Sequence, residues 1–333
     1  MMNKIVISLI GFGRIGRVHL KHLLENKRYS IKHVCDIRPA EDFEQQYPNI
    51  KYVQDYRKVL CDEEVDAVLI CMPASLQPEM IKEAAQANKH ILCEKPIGSD
   101  LDKIMEAYAE VKKRNIIFQL GFNRRFDEDF LSIKRQIDKI GVPHVLKITS
   151  RDPEAPGLDY VKNSGGLFMD MAIHDFDMAR NMFGEIEEVY VNGARLINPD
   201  YAEYGDIDTA ITTLKFANGA IGVIDNSRQA AYGYDQRLEV FGSEGMLQNA
   251  NHCDHNTVFT SNNGVQSEKP QYFFLQRYMK SYETEANFFA DSIQHGAEVV
   301  CTIVDAIMAV KVAKAAQQSL VSGKPVKVEK MTD

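Results

Sequence analysis

The sequence predicts an α/β protein in which a doubly wound parallel sheet is followed by an α+β domain with mostly antiparallel strands. Three observations predict it. Short β-branched runs alternate with helical patterns through the first third of the chain, which is typical of parallel strands joined by right-handed crossovers. The glycine-rich segment "GFGRIG" separates the first strand from the first helix. Beyond about residue 122 the strand-like runs lengthen, and Asn218-Gly219 stands between two of them as a hairpin turn.

The elements of the first third follow from this alternation. Each strand-like run is short and rich in valine and isoleucine, which favours buried strands. Strands are predicted at "KIVISLI", "IKHVCDI", "DAVLICMP", "HILCEK" and "IIFQLGF", and helices are predicted to start near Arg14, Leu76 and Asp100. The first domain is therefore assigned to residues 1–121.

The second domain is assigned to residues 122–333. A helix is predicted at "FDEDFLSIKRQIDKI", followed by strands at "HVLKITSR", "IEEVYVNGARL", "DTAITTLKF", "AIGVIDNS" and "RLEVFGS", and then by helices near 279–295 and 302–321. The chain contains neither internal repeats nor a low-complexity linker. The boundary is thus a change of periodicity, and we expect the two domains to pack closely.

Composition excludes several classes of function. The 333 residues are 45% hydrophobic and carry a formal net charge of −8, which argues against a nucleic-acid or anionic-membrane partner. The six cysteines stand at least ten residues apart and form neither a metal or redox motif nor a disulfide scaffold. The apolar run near the start ends in glycines rather than in a cleavage site. We therefore expect a cytoplasmic protein without a membrane span.

The glycine segment is the first candidate binding site. Gly11, Gly13 and Gly16 follow a strand and open a helix, the context in which glycines let the backbone approach a pyrophosphate at a helix N-terminus. Asp36 ends the second strand, where a carboxylate binds an adenosine ribose and repels a 2′-phosphate. This pattern predicts NAD rather than NADP, although Arg38 keeps use of both open. The alternative is a plain glycine turn beside a surface aspartate.

Lys95 is the second candidate. It follows Glu94 just beyond the apolar strand "HIL", at a carboxyl end of the predicted parallel sheet, where ligands bind in such folds. A lysine there can donate a proton or stabilise an alkoxide. The alternative is an ordinary salt bridge at a strand end. Pro96 restricts Lys95 to an extended conformation, and a cis bond between them is an open alternative.

The segment "MDMAIHDFDMAR" carries the third candidate. We predict one helix from the "SGG" at 164–166 to Gly184. On it, Asp170, His174 and Asp177 share a polar stripe, whereas Asp175 lies off that stripe and is predicted to be structural. Three interpretations compete: a metal site, which finds no helper cluster except "HCDH" at 252–255; a solvated face; and catalytic machinery, in which the aspartate orients the histidine as a general base.

Several motifs in order resemble the glucose-fructose oxidoreductase and inositol dehydrogenase family. They are "GFGRIG", "EKP", "GFNRRFD", "GGLFMDMAIHDFDMA" and the helix "DAIMAVKVAKAAQQSLVSGKPV". Within that family the chain is most similar to the inositol 2-dehydrogenase branch. The resemblance implies a Rossmann domain, then a domain with a large open sheet, and a homo-oligomer, either a dimer or a tetramer; we expect a homotetramer.

The resemblance also implies site residues. Lys95, Asp170 and His174 match the family's catalytic triad. Substrate contacts are expected at Lys95, Arg125, Asp170, His174, Asp177 and Tyr234, with Tyr232 as an alternative to Tyr234. Cofactor contacts are expected at Gly11, Phe12, Gly13, Arg14, Ile15, Asp36, Ile37, Arg38, Cys71, Met72, Pro73, Gln77, Glu94 and Lys95, and no metal is expected. One departure is that Met72 to Gln77 replaces a pattern with threonine and histidine, so we expect no proton relay there.

The function that the resemblance implies is oxidation of a ring hydroxyl of a cyclic polyol with NAD, myo-inositol giving 2-keto-myo-inositol (scyllo-inosose). In that reaction His174 removes the hydroxyl proton, Lys95 stabilises the alkoxide and Asp170 holds the tautomer of His174. Two alternatives stay open. One is a related sugar, sugar-acid or dihydrodiol dehydrogenase, and the other is a regulator that binds NAD without catalysis.

Overall fold

The computed structural model describes residues 3–331, which form two compact units. The first unit contains the chain up to residue 126 together with residues 281–307, and the second contains residues 127–280 and the chain from 308 onward. The sequence assigned residues 122–333 to one domain. In the structure the segment 281–307 belongs instead to the unit that contains the first sheet.

The first unit is built on six parallel strands. The strands are β1 Ile5–Ile10, β2 Tyr29–Cys35, β3 Lys51–Val53, β4 Ala67–Ile70, β5 His90–Glu94 and β6 Phe118–Gly121, and the helices between them are α1 Arg14–Glu25, α2 Phe43–Gln46, α3 Tyr56–Leu60, α4 Gln77–Gln86 and α5 Leu101–Lys112. The strand order is β3-β2-β1-β4-β5-β6, and every pairing is parallel. This doubly wound sheet confirms the predicted fold class. The sequence did not predict β3, because a strand of three residues is too short to show an alternating pattern.

The topology brings the candidate residues of this unit to one edge. Because parallel strands end at the same edge of a sheet, the residues that follow them lie along it. Gly11 follows β1, Asp36 follows β2, Cys71 follows β4 and Lys95 follows β5. The switch in strand order falls between β1 and β4. The first sheet thus presents the predicted cofactor residues at the position where doubly wound folds bind ligands.

The second unit is built on a seven-stranded mixed sheet. Its elements are α6 Glu128–Arg135, β7 Pro143–Arg151, α7 Leu158–Ser164, α8 Gly166–Asp170, α9 Ile173–Phe183, β8 Ile186–Ala194, β9 Thr209–Phe216, β10 Ile221–Ser227, β11 Asp235–Gly242, β12 Met246–Gln248, β13 Val258–Ser261, β14 Gly264–Ser267 and α10 Phe274–Arg277. Three last elements follow: α11 Met279–His295 and α12 Ile303–Ser322, each of which contains residues of both units, and β15 Val326–Lys327 in the second.

The order of this sheet is β12-β11-β7-β10-β9-β8-β15, and only β7 and β10 pair in parallel. The mostly antiparallel sheet predicted for this part of the chain is therefore confirmed. The predicted turn at Asn218-Gly219 joins β9 to β10, with Gly219 at a φ of +89°. Its Asn218 side chain accepts a hydrogen bond from the N–H of Ala220 at 3.0 Å, which secures the turn.

The helix predicted over "MDMAIHDFDMAR" is wrong in one respect, because it is interrupted. α8 ends at Asp170, and α9 begins at Ile173. Between them the N–H of Ala172 bonds to the carbonyl of Leu167, five residues back, at 2.9 Å. Met171, Ala172 and Ile173 are all buried, and three successive side chains cannot share one face of a regular helix. The wider turn buries all three and changes the spacing between Asp170 and His174.

Candidate active site

The glycine loop after β1 is shaped by close backbone contacts. Gly11 has a φ of +101°, and a Cβ there would lie 2.4 Å from the carbonyl oxygen of Cys71. A Cβ on Gly16 would lie 2.1 Å from the carbonyl oxygen of Gly11. A Cβ on Gly13 would meet nothing within 4 Å, and no side chain caps α1 at this residue. The loop therefore leaves open space at the N-terminus of α1, which fits a pyrophosphate.

Asp36 is fixed beside this loop. Its Oδ2 accepts the N–H of Phe12 at 2.8 Å, and its Oδ1 accepts the N–H of Arg38 at 3.0 Å. Burial alone would raise the pKa of Asp36, but these two N–H donors hold it below its ordinary value. Ile37 is mostly exposed. An ionised carboxylate here fits the ribose hydroxyls of NAD and disfavours a 2′-phosphate.

The loop after β4 is held by Gln77. The Nε2 of Gln77 donates to the carbonyl of Met72 at 2.9 Å, and its Oε1 accepts from the thiol of Cys93 at 3.2 Å. Burial raises the pKa of the Cys93 thiol well above its usual range, so this sulfur keeps its proton. Gln77 is only 1% exposed. Within the first unit its amide supports the shape of the loop that carries Cys71, Met72 and Pro73.

Lys95 follows β5 directly and is half-buried. Its backbone N–H donates to Oε2 of Glu94 at 3.2 Å, and the Lys95–Pro96 peptide bond is cis. Oε1 of Glu94 lies 2.7 Å from Nε2 of His19, a buried residue of α1. Glu94 thus connects the segment that carries Lys95 to the helix that follows the glycine loop.

A third ionisable group completes this cluster, and sequence reasoning missed it. Glu285 of α11 is 0% exposed, and it places a carboxylate oxygen within 4.8 Å of the facing atoms of His19 and Glu94. Burial, and then the negative charge of Glu94, raise the pKa of Glu285 well above its usual range. Two carboxylates and an imidazole are potential metal ligands. His19 is already hydrogen-bonded to Glu94, however, and a protonated Glu285 is a poor ligand, so the trio is better described as an acid–base cluster.

In the second unit, Asp170 is held by two neighbours. Tyr160 donates its hydroxyl to Oδ1 of Asp170 at 2.8 Å, and Nη1 of Arg228 donates to Oδ2 at 3.2 Å. Sequence reasoning did not identify Arg228, which lies 58 residues from Asp170 along the chain. His174 lies in the first turn of α9 and is partly exposed.

The other acidic residues of this segment have different environments. Asp175 is buried, and its Oδ2 accepts from the amide of Asn226 at 2.8 Å, which agrees with the structural role predicted for it. Asp177 is also buried. The "HCDH" segment forms separate pairs, His252 with Asp129 at 2.6 Å and His255 with Glu268 at 3.1 Å. Each histidine of this segment therefore pairs with a carboxylate other than Asp170.

Two predicted substrate contacts lie in crowded surroundings. Arg125 is 5% exposed, and its guanidinium donates to the carbonyl of Val300 at 2.8 Å and to Asp305 at 2.9 Å. Tyr234 is 7% exposed and packs edge-on against Tyr278. The alternative residue, Tyr232, is exposed, and its hydroxyl donates to Asp235 at 2.6 Å.

Across residues 3–331, no helix combines the length and the apolar character that crossing a membrane requires.

The first unit, with its glycine loop, its fixed Asp36 and its doubly wound sheet, is a dinucleotide-binding domain of an oxidoreductase. Comparison with known proteins agrees. The NAD-binding Rossmann fold model of an oxidoreductase family matches residues 5–122, and the GFO/IDH/MocA C-terminal domain model matches residues 130–248. The chain belongs to this GFO/IDH/MocA family, as its motifs predicted.

Individual relatives extend over nearly the whole chain. An uncharacterized oxidoreductase of Bacillus subtilis, YrbE, is 50% identical over 99% of this chain and 98% of its own. A myo-inositol 2-dehydrogenase of Thermotoga maritima is 41% identical over 98% of this chain and 99% of its own. A scyllo-inositol dehydrogenase of Lactobacillus casei, solved with NAD(H) and scyllo-inositol, is 29% identical with a TM-score of 0.91, covering 98% of this chain and 99% of its own. The chain is therefore an NAD-dependent oxidoreductase acting on CH–OH groups.

Proposed function

We propose that this protein oxidises a ring hydroxyl of a cyclic polyol with NAD, and that its substrate is myo-inositol, which yields 2-keto-myo-inositol. The observation that carries the proposal is its full-length similarity to a protein named myo-inositol 2-dehydrogenase. Lys95, Asp170 and His174 are the acid–base residues expected of that chemistry. Lys95 belongs to the first unit and the other two to the second.

Each of these residues has one role in the proposal. His174 takes the hydroxyl proton as the general base, and Lys95 donates a hydrogen bond to the developing alkoxide. Asp170 accepts from the imidazole of His174 and so selects its tautomer. Bound NAD supplies the hydride acceptor, the C4 atom of its nicotinamide. The acid–base contribution is about 10²- to 10⁴-fold in rate.

The remaining predicted substrate contacts belong to the same proposal. Arg125, Asp177 and Tyr234 are all less than a tenth exposed. We propose that they bind substrate with side-chain conformations that are already fixed by their neighbours. Preset side chains favour recognition of a rigid ring because little conformational freedom is lost on binding. Assembly into a dimer or tetramer and a cytoplasmic location remain predictions.

A panel of substrates tests the proposal. Purified protein is assayed for NADH formation with myo-inositol, scyllo-inositol, glucose, xylose and a dihydrodiol, and the series is then repeated with NADP. We expect the highest kcat/KM with myo-inositol and NAD. Oxidation of a sugar with no activity on any inositol would contradict the proposal. Binding of NAD with no turnover of any substrate would support the non-catalytic regulator instead.

The position of oxidation needs a separate measurement. With myo-inositol deuterated at C2, we expect deuterium in the NADH and a primary isotope effect on turnover. Retention of deuterium in the ketone would show that another hydroxyl reacts.

A second candidate substrate is scyllo-inositol, favoured by the similarity to the structure solved with that ligand. The two inositols are epimers at one carbon, and oxidation at that carbon gives the same ketone from each. Product analysis cannot separate them, so the ratio of kcat/KM values for the two inositols is the deciding measurement.

A further inference from the structure

Arg228 is a buried arginine that the proposed mechanism does not use. It follows the last residue of β10 and is only 1% exposed. Its backbone N–H donates to the carbonyl of Asp208 at 2.8 Å, so its main chain is anchored beside β9. A guanidinium is seldom buried this deeply unless carboxylates or other acceptors surround it.

Two carboxylates share this guanidinium. Nη1 donates to Oδ2 of Asp170 at 3.2 Å, and Nη2 donates to Oδ2 of Asp206 at 3.4 Å. The other oxygen of Asp206, Oδ1, accepts the N–H of Leu167 at 2.8 Å. Leu167 and Asp170 both belong to α8. Arg228 therefore binds one end of this short helix directly and the other end through Asp206.

The electrostatics of the trio favour a charged Arg228. Burial opposes the charge of Arg228, but Asp170 and then Asp206 outweigh it and raise its pKa. Asp152 adds a weaker interaction of the same sign, and Tyr201 also faces the guanidinium. On the far side, Arg195 donates to the backbone carbonyl of Asp206 at 3.2 Å. Tyr160 donates to the oxygen of Asp170 that Arg228 leaves open.

We propose that Arg228 is the positioning residue of the acid–base pair: with Asp206 and Tyr160 it holds the Asp170 carboxylate in the orientation that His174 needs. The inference rests on the proposed function, since it gives Asp170 and His174 the roles stated above. A planar guanidinium suits this position because its two Nη groups point to separate carboxylates, which a lysine ammonium cannot reproduce in the same geometry.

The pH dependence of kcat/KM distinguishes this role from simple support of the fold. The acidic limb of that profile reports on the acid–base pair of Asp170 and His174 as a whole. In Arg228→Met a positive charge beside the acid–base pair is lost, and we expect the acidic limb of the profile to move up by about one pH unit. In Asp206→Asn the loss of a negative charge moves the limb down, while the amide oxygen can still accept from Leu167.

Two further variants keep the test decisive if Arg228→Met does not fold. Arg228→Lys keeps the positive charge but lacks the two separate Nη donors. We expect its kcat to fall about tenfold to a hundredfold. The acidic limb of its pH profile and its affinity for NAD should not change. Arg180→Met is the matched control, because Arg180 is also a buried arginine of this unit but pairs with Glu185 at 2.6 Å. Its profile should match that of the wild type.

The outcomes separate this inference from the proposed function. Asp170→Asn and His174→Ala are measured in parallel. If these two lose turnover while Arg228→Lys keeps full kcat and Asp206→Asn leaves the acidic limb in place, the role of Arg228 is overturned and the proposed function stands. If Asp170→Asn and His174→Ala turn over like the wild type, the proposed function itself fails.

Discussion

Oδ2 of Asp36 accepts the backbone N–H of Phe12 at 2.8 Å, so the carboxylate after β2 is bound to the glycine loop after β1. This bond fixes the position of the carboxylate, and it favours the ionised form of Asp36. We therefore expect coenzyme choice to depend on a side chain that the loop itself orients.

Replacing Asp36 tests that dependence. In Asp36→Asn the repulsion of a 2′-phosphate is lost, and one acceptor for the ribose hydroxyls is weakened. A hydrogen bond to a charged group contributes about 1.5–3 kcal/mol, so we expect the ratio of kcat/KM for NAD to that for NADP to fall at least about tenfold. Asp42→Asn, at an exposed position of the same unit, is the control. An unchanged ratio in Asp36→Asn would remove this residue from coenzyme selection.

Two lysines flank β5 and are expected to behave in opposite ways. Lys95 follows the strand, whereas Lys89 precedes it and donates to the carbonyls of Asp62 at 2.7 Å and Val65 at 2.8 Å. We expect Lys95→Met to lose about 10²- to 10⁴-fold in kcat with an unchanged melting temperature. Lys89→Met should lower the melting temperature because the carbonyls of Asp62 and Val65 lose the donor that they share, and it should keep kcat. Steady-state kinetics and thermal unfolding of both variants decide the matter; equal kinetic losses would contradict a special role for Lys95.

Glu285 predicts a pH-dependent stability. Its pKa is raised in the folded protein from an ordinary value of 4.5, so above that pH the unfolded chain releases a proton that the folded chain retains. The contribution of Glu285 to stability therefore falls by about 1.4 kcal/mol per pH unit between the two pKa values.

Glu285→Gln removes this titration, and its stability relative to the wild type should rise with pH from about pH 5 up to the raised pKa of the folded wild type, as followed by urea unfolding. Glu283→Gln, at a partly buried position of the same helix, is the control. A constant difference between Glu285→Gln and the wild type over this range would show that Glu285 is ionised when folded.

The burial of Phe289 allows a prediction of how strongly the segment 281–307 stabilises the first unit. It is 0% exposed in a core with Leu9, Leu20 and Leu92. We expect Phe289→Ala to cost about 3–5 kcal/mol through the cavity it leaves. Phe288→Ala, at the partly buried neighbouring position, should cost less. Thermal unfolding monitored by circular dichroism ranks the two, and an equal loss would argue against a core role for Phe289.

The sequence predicted the parts of the fold around the candidate site that depend on local backbone constraints. Gly11 and Asp36 could be identified because a strand, a glycine turn and a helix impose a fixed order on their positions. The same reasoning failed between Asp170 and His174, since burial of Met171, Ala172 and Ile173 overrides the regular helical spacing.

The buried partners were missed for a different reason. Arg228 stands 58 residues from Asp170, and Glu285 reaches the first unit from the far end of the chain. Only folding brings such pairs together, and no local period marks them. The one available signal was an acidic residue on the buried stripe of α11, which includes Ser281, Tyr282, Glu285, Ala286 and Phe289.

The division of the first unit into two stretches of chain has a consequence for biosynthesis. Ala286, Phe289 and Ala290 belong to the same core as Ile7 and Leu9 of β1, yet the ribosome makes them more than two hundred residues later. The nascent dinucleotide-binding unit must therefore wait, with part of its apolar interior open, until nearly the whole polypeptide has been translated. A chain cut short before α11 would expose that surface permanently and be a substrate for chaperones and proteases rather than a smaller nucleotide-binding protein.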